Sequence, residues 1–197
     1  MPFPDYEPTV PIFLDRCATR YGERPLILLG DRRISYAEAQ AESAKLARGL
    51  LARGVGKGTR VGILFPNGPE WVIAWLAAAR IGALTIPIST FSKARELGWT
   101  LRHADVDTLL MTPSLLSHDY QQRLEQCAPS LLDRDSGARG PLFCPELPYL
   151  RQVFVFGGAP RPWARPADDL APTPDVDEAF LHAVEDCLSP ADPLIVI

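Results

Sequence analysis

Several residue groups in this chain have types that could do chemistry, and their spacing decides what each can do. Gly54-Val55-Gly56-Lys57-Gly58-Thr59 has the glycines and the lysine of a phosphate cradle. A Walker-type loop needs a Gly, four intervening residues, then Gly-Lys-Ser/Thr, on the way from a strand into a helix. Here Lys57 is followed by Gly58, Leu51 stands where the upstream Gly is required, and the predicted order is helix to strand. A dinucleotide fingerprint fails too, because the third Gly falls one position early. The three glycines read as a reversing turn. Gly157-Gly158 follows an apolar run, as an anion-binding turn would, but Pro160 and Pro162 come next and no helix begins whose amides could face a phosphate. Ser117-His118-Asp119 are neighbours in sequence, whereas a catalytic triad converges in space, and no Gly-x-Ser-x-Gly elbow exists. The carboxylates are spread over helix faces and turns, with no pair marked for acid–base work. The four cysteines, Cys17, Cys127, Cys144 and Cys187, form no Cys-x-x-Cys pair, which suits reduced thiols in a cytoplasmic chain. There are three histidines; His182 and Cys187, five residues apart, point to different faces, so no metal site is expected. From the residues alone, no catalytic, cofactor-binding or metal-binding side chain is assigned.

The elements that would position such groups are clearer. Residues 10–21 predict an amphipathic helix, residues 25–29 a short strand, and Gly30-Asp31 a turn. Ser35-Tyr36-Ala37-Glu38 is a capping box, and Ala39, Ser43, Leu46, Ala47, Leu50 and Leu51 follow at helical spacing. Gly54 is a left-handed terminator for that helix. Residues 60–65 show little alternation and predict a strand buried on both faces. Pro69-Glu70 starts an enclosed helix that Gly82 ends, and a strand follows at 83–88, weakened by Pro87. A helix at 93–104, a strand at 107–111 and a helix at 115–127 complete an alternation that implies a parallel sheet with right-handed crossovers. Trp71, Trp75 and Trp99 sit on predicted helix faces as core. Residues 129–148 are irregular, 152–156 a strand, 157–175 a loop, and 177–188 a short helix. No internal repeat is present at periods of 20 to 50 residues.

Composition bounds the function class. Of 197 residues, 47% are apolar and 22% charged, ordinary for a folded globular domain and against overall disorder. Twenty basic against 24 acidic residues, a net charge of −4, argue against a nucleic-acid binder. Proline, at 20 residues, is about twice its usual share. No secretory signal opens the chain. The best membrane candidate, residues 71–88, holds Arg80, Gly82 and Pro87, and reads as a buried helix and strand rather than a span.

Four blocks occur in a fixed order: Ile34-Ser35-Tyr36-Ala37-Glu38, the turn and strand start Gly54 to Val61, Pro66-Asn67-Gly68-Pro69-Glu70-Trp71, and Ala79-Arg80-Ile81-Gly82-Ala83 leading to Ile86-Pro87-Ile88. Together they resemble the N-terminal part of the adenylate-forming superfamily, the acyl-CoA synthetases and AMP-dependent ligases. The resemblance covers residues 12–112, with Leu97 to Asp107 continuing it, and resumes at 189–197; residues 129–186 match nothing specific. It implies an α/β fold, a mostly parallel sheet flanked by helices, forming the first part of the large N-terminal domain and incomplete at the C-terminus. Within that single domain portion, 1–128 is the α/β core, 129–175 an irregular Pro-rich region with one strand, and 176–197 a helix and terminal strand.

The resemblance implies a two-step reaction. A carboxylate attacks the α-phosphate of ATP to give an acyl-adenylate, and the thiol of CoA then displaces AMP. The family's Ser/Thr/Gly-rich ATP loop, its adenine and ribose motifs and its catalytic Lys lie beyond Ile197. ATP, Mg and CoA are therefore implied for a full-length relative, and no cofactor for residues 1–197. Leu194-Ile195-Val196-Ile197 predicts a buried apolar strand, as if the polypeptide were cut inside its sheet. That reading makes the chain an inactive N-terminal fragment of an acid–CoA ligase, with possible self-association through the terminal strand. The alternative is a non-catalytic interaction module of the same fold. A free-standing nucleotide-binding domain ranks last, for want of a glycine-rich strand-to-helix turn.

Overall fold

The computed structural model describes residues 4–134 and 140–197. In chain order the first elements are α1 (Val10–Tyr21), β1 (Pro25–Leu29), β2 (Arg32–Ser35), α2 (Tyr36–Ala52), β3 (Arg60–Leu64), α3 (Pro69–Arg80) and β4 (Leu84–Pro87). Next come α4 (Ala94–His103), β5 (Thr108–Met111), the two-residue strands β6 (Ser114–Leu115) and β7 (His118–Asp119), and α5 (Tyr120–Cys127). A 3-10 turn at Pro129–Asp133 precedes β8 (Gln152–Val155), β9 (Arg165–Pro166), a second 3-10 turn at Ala167–Leu170 and α6 (Glu178–Glu185). These elements divide into two compact units. One gathers residues 1–58, 67–84 and 170–194, the other 59–66, 85–169 and 195–197.

The first unit is helical, with one hairpin. β1 and β2 pair antiparallel through the Gly30-Asp31 turn, where Gly30 takes φ +57°. The chain then enters α2 through the capping box. The Glu38 amide donates to Ser35 Oγ at 3.2 Å, and the Ser35 amide donates to Glu38 Oε2 at 2.7 Å. Those bonds, from the Ser35 backbone first, hold the Glu38 carboxyl below its ordinary range. α2 buries Ala39, Ser43, Ala47 and Leu50, the face its spacing predicts. Leu14, Ala39, Ile73 and Leu76 form a core joined by Leu26 and Ile34 of the hairpin and by Trp75. Gly49 lets residue 170 approach: a Cβ there would stand 1.8 Å from the Leu170 carbonyl oxygen. Gly54 and Gly58 both take left-handed φ, +80° and +81°, and make the turn after α2.

The second unit is built on a five-stranded sheet in the order β4-β3-β5-β8-β9. β3 with β5, β5 with β8, and β8 with β9 are parallel; Val61 faces Thr108, which faces Gln152. β5, at the centre, is buried along its whole length. Gly62 sits where Val106, Leu109 and Ile88 converge; a Cβ there would lie 3.0 Å from each of the first two. α4 and α5 pack together through Gly98, where an added Cβ would meet Cys127 Cβ at 2.8 Å.

Four sequence expectations are corrected. Residues 115–119 are not helical: β6 and β7 form a tiny hairpin around Leu116, exposed at φ +54°, and α5 starts at Tyr120 because the Asp119 carboxylate accepts from the Gln122 amide at 2.9 Å. Trp99 is no core residue; it is 64% exposed and stacks on His103 with ring centroids 4.5 Å apart. The loop at 157–175 contains β9, which adds two residues to the sheet beside β8, and a 3-10 turn. Leu194 to Ile197 is not a buried strand. Ile195 makes one parallel bridge to Thr85, the Val196 amide donates to the Thr85 carbonyl at 3.0 Å, and Ile197 is fully exposed. β4 is the edge of the sheet, so this segment finds partners on one side only. Of the irregular stretch 129–148, residues 135–139 lie outside the described residues.

Candidate functional site

Parallel strands place their carboxyl ends on one rim of the sheet, and ligands of open α/β sheets bind at that rim. In the second unit the rim is made by Phe65 and Pro66 after β3, residues 88–92 after β4, Thr112 and Pro113 after β5, and Phe156 to Gly158 after β8. Backbone bonds carry the ladder past the strands: the Ile88 amide donates to the Ile63 carbonyl at 2.9 Å, Thr112 to Leu64 at 3.1 Å, and Phe156 to Met111 at 2.8 Å. Phe65 and Phe156 meet edge to face, 5.1 Å between centroids. Gly157 and Gly158 turn at φ +79° and +66°, and a Cβ on Gly158 would press on Pro113 Cγ at 3.1 Å.

The polar side chains of α5 fix these loops. The Tyr120 hydroxyl donates to the Thr90 carbonyl at 2.9 Å, and Arg123 Nη1 donates to the Ser92 carbonyl at 2.6 Å. Gln121 Nε2 donates to the Ala159 carbonyl at 3.2 Å, while its Oε1 accepts from the Arg161 amide at 2.7 Å. Burial raises the Tyr120 phenol above its ordinary value, so it stays a neutral donor across the physiological range. Beside the exposed Phe91 ring, the rim's side-chain hydroxyls are neutral. The Ser89 hydroxyl accepts from the Phe91 amide at 3.3 Å and keeps its own proton, and Thr112 Oγ1 donates to the Ser114 carbonyl at 3.3 Å. Hydroxyls and amides can orient a bound group but cannot act as general base at neutral pH.

The groups singled out by sequence lie elsewhere, in structural roles. In the first unit, Lys57 Nζ donates to Asp192 Oδ2 at 2.7 Å and to the Cys187 carbonyl at 3.1 Å. The bond from Lys57 pulls the Asp192 carboxyl below its usual range. That ammonium is engaged, and its loop is a turn. Asp119 of the Ser117-His118-Asp119 run caps α5. All four cysteines are free thiols. Cys144 Sγ donates to Glu146 Oε2 at 3.0 Å, the Ser130 hydroxyl to the same oxygen at 2.5 Å, and these donors hold the Glu146 carboxyl down at about 2. Burial pushes the Cys127 thiol up to about 11. Among the described residues no group of three or more His, Cys, Asp or Glu could hold a metal ion.

Sequence reasoning missed one buried charged pair, in the first unit. Arg80, fully buried in α3, donates from Nε to Glu185 Oε1 of α6 at 2.5 Å, and from Nη1 to the Gln40 carbonyl at 3.2 Å and Ser43 Oγ at 3.4 Å. His182 Nδ1 lies 3.1 Å from the other Glu185 oxygen. Burial raises the Glu185 carboxyl above its ordinary value, with Arg80 and His182 pulling it back. An arginine inside the apolar run 71–80 was the only signal; its partner is 105 residues away.

A protein-family model for AMP-binding enzymes matches residues 14–175, most of the chain. The chain belongs to the AMP-binding enzyme family. Among its relatives, the acyl-CoA ligase SID4 of Ajellomyces capsulatus is 29% identical over 160 residues, covering 81% of this chain and 25% of that protein. The mitochondrial medium-chain acyl-CoA ligase ACSF2 of Mus musculus is 31% identical over 164 residues, covering 82% of this chain and 26% of that protein. The chain thus spans about a quarter of the length of these relatives. Among solved structures, the N-terminal subdomain of Klebsiella oxytoca NpsA in complex with 3-hydroxybenzoyl-AMSN matches at 28% identity and TM-score 0.54, over 57% of this chain and 29% of that one. The anthranilate CoA ligase AuaEII in complex with anthranoyl-AMP matches at TM-score 0.65 over 95% of this chain and 30% of that one; at 19% identity it speaks for the fold alone.

Proposed function

We propose that this chain is the N-terminal portion of the large domain of an ATP-dependent carboxylic acid–CoA ligase, and that residues 1–197 alone do not form an acyl-adenylate. In the full reaction a carboxylate oxygen would bond to the α-phosphorus of ATP while pyrophosphate leaves; the CoA sulfur would then bond to the acyl carbon while AMP leaves. The observation that carries the family reading is the match over residues 14–175. Inactivity of residues 1–197 is supported by the rim's remaining donors, which are neutral, and by the engagement of Lys57, Arg80 and Arg123 with protein groups. Charge developing on a transferred phosphoryl group calls for preorganised cations and donors. The role left to this chain is to hold the β3, β5 and β8 rim in place through α5. ATP, magnesium and CoA receive no ligand from the described residues in this reading, and a cytoplasmic setting is supported by the free thiols.

Purified residues 1–197, incubated with ATP, magnesium and a panel of aliphatic and aromatic acids, should release pyrophosphate at the rate of the no-protein control. Acid-dependent release above that control would overturn the reading.

A further inference from the structure

The first unit contains a cleft of about 450 Å³ between α2 and α6, within the size range of small-molecule sites. Its apolar surface comes from Ala44 and Pro172, backed by Leu181, which is almost completely buried. Lys45 and Arg48, three residues apart on α2 and so on one face, line it together with His182 of α6. The walls of the cleft are fastened to one another. Arg80 joins α3 to Glu185 of α6, Arg48 Nε donates to the Val176 carbonyl at 2.8 Å, and Gly49 brings α2 against the Leu170 backbone.

Charge decides what the cleft takes. Lys45 has no hydrogen-bond or ion-pair partner among the described residues. Arg48 meets Glu178 at only 3.9 Å, and that carboxylate is 82% exposed, so the pairing is weak. The cleft therefore offers one free ammonium and one guanidinium that is anchored through Nε to the Val176 carbonyl and only weakly paired with a carboxylate, beside apolar surface. We propose that this cleft binds an organic anion, a carboxylate or phosphate head carrying a short apolar body, with the head between Lys45 and Arg48 and the body on Ala44 and Pro172. The site lies in the first unit and uses none of the rim residues of the second. It therefore stands whether or not the ligase reading holds.

Titration of the chain with octyl phosphate, octanoate and neutral octyl glucoside, followed by amide and side-chain NMR shifts, tests the assignment. The two anions should shift Ala44, Lys45, Arg48 and Leu181 saturably, and whichever binds more tightly names the head. Lys45→Glu should weaken the tighter anion about tenfold, since the reversal replaces an attraction by a repulsion at close range, and 0.5 M salt should weaken it as well. Ala41→Trp, at an exposed α2 position that also lines the cleft, should block entry while leaving the circular dichroism spectrum intact. Equal binding of octyl glucoside, unchanged affinity in Lys45→Glu, or saturable shifts confined to other residues would each overturn the proposal.

Discussion

Replacing Arg80 by Met would leave the Glu185 carboxylate, whose side chain is 7% exposed, without its cation. Removing one member of a buried pair costs about 3–5 kcal/mol, because the remaining charge stays desolvated. At a urea slope of about 2 kcal/mol per molar, that is a fall in midpoint of about 1.5 M or more. The exposed pair Arg32–Glu70, 2.7 Å apart with side chains 56% and 43% exposed, is the internal control; Arg32→Met should cost about 1 kcal/mol or less. The double variant Arg80→Met/Glu185→Leu removes both charges and should recover most of the loss. Acidity separates electrostatics from lost contacts. Burial raises the folded-state affinity of Glu185 for a proton, so its contribution favours folding fully below pH 4.5, the ordinary value, and is lost as pH rises through the shifted one. Without Arg80 that shift grows, so the Arg80→Met deficit should be smaller at pH 5 than at pH 8. Urea melts by circular dichroism at both pH values give the answer. A deficit no larger than that of Arg32→Met, or one independent of pH and unrelieved in the double variant, would refute the reasoning.

Gly49→Ala places a methyl 1.8 Å from the Leu170 carbonyl oxygen, a clash with backbone that should destabilise by about 3 kcal/mol in thermal melts. Ser35→Ala removes the acceptor for the Glu38 amide and should lower stability by about 1 kcal/mol. A thiol reagent at pH 8 should label exposed Cys187 quickly and Cys127, raised to about 11, only on unfolding; mass spectrometry of the labelled peptides reads the order. The Glu146 carboxyl, held at about 2, contributes stability that is present above pH 4.5 and lost as pH falls toward 2. Glu146→Gln should therefore flatten the acid limb of a pH–stability curve, by a modest amount because its site is near solvent.

Elements with local signals were legible. The Ser35–Glu38 box, the helical spacing of Ala39, Ser43, Ala47 and Leu50, and the left-handed Gly54 all express bonds made within a few residues. The alternation of apolar strands with helices was enough for the parallel order of β3, β5 and β8. Errors arose where distant partners decide. Leu115 and Leu116 fit a helical pattern, yet Asp119 caps the helix later and Leu116 turns left-handed into solvent. β9 holds two residues, Arg165 and Pro166, that join the sheet by pairing with β8 across a proline-rich loop. Leu194 to Ile197 has the composition of a buried strand but bridges to the sheet edge at Thr85 and leaves Ile197 exposed. The rim was invisible for another reason. Tyr120, Gln121 and Arg123 bind carbonyls of Thr90, Ala159 and Ser92, and a backbone acceptor leaves no mark on residue type.

A titration of isotopically labelled residues 1–197 with magnesium-ATP, followed by amide shifts, tests most directly whether this portion of the fold is support rather than a nucleotide site. Uniform, non-saturating changes that follow ionic strength are the predicted result. Saturable shifts gathered on Ser89 to Ser92, Thr112 and Gly157-Gly158 would show that the rim grips the nucleotide unaided, and would contradict it.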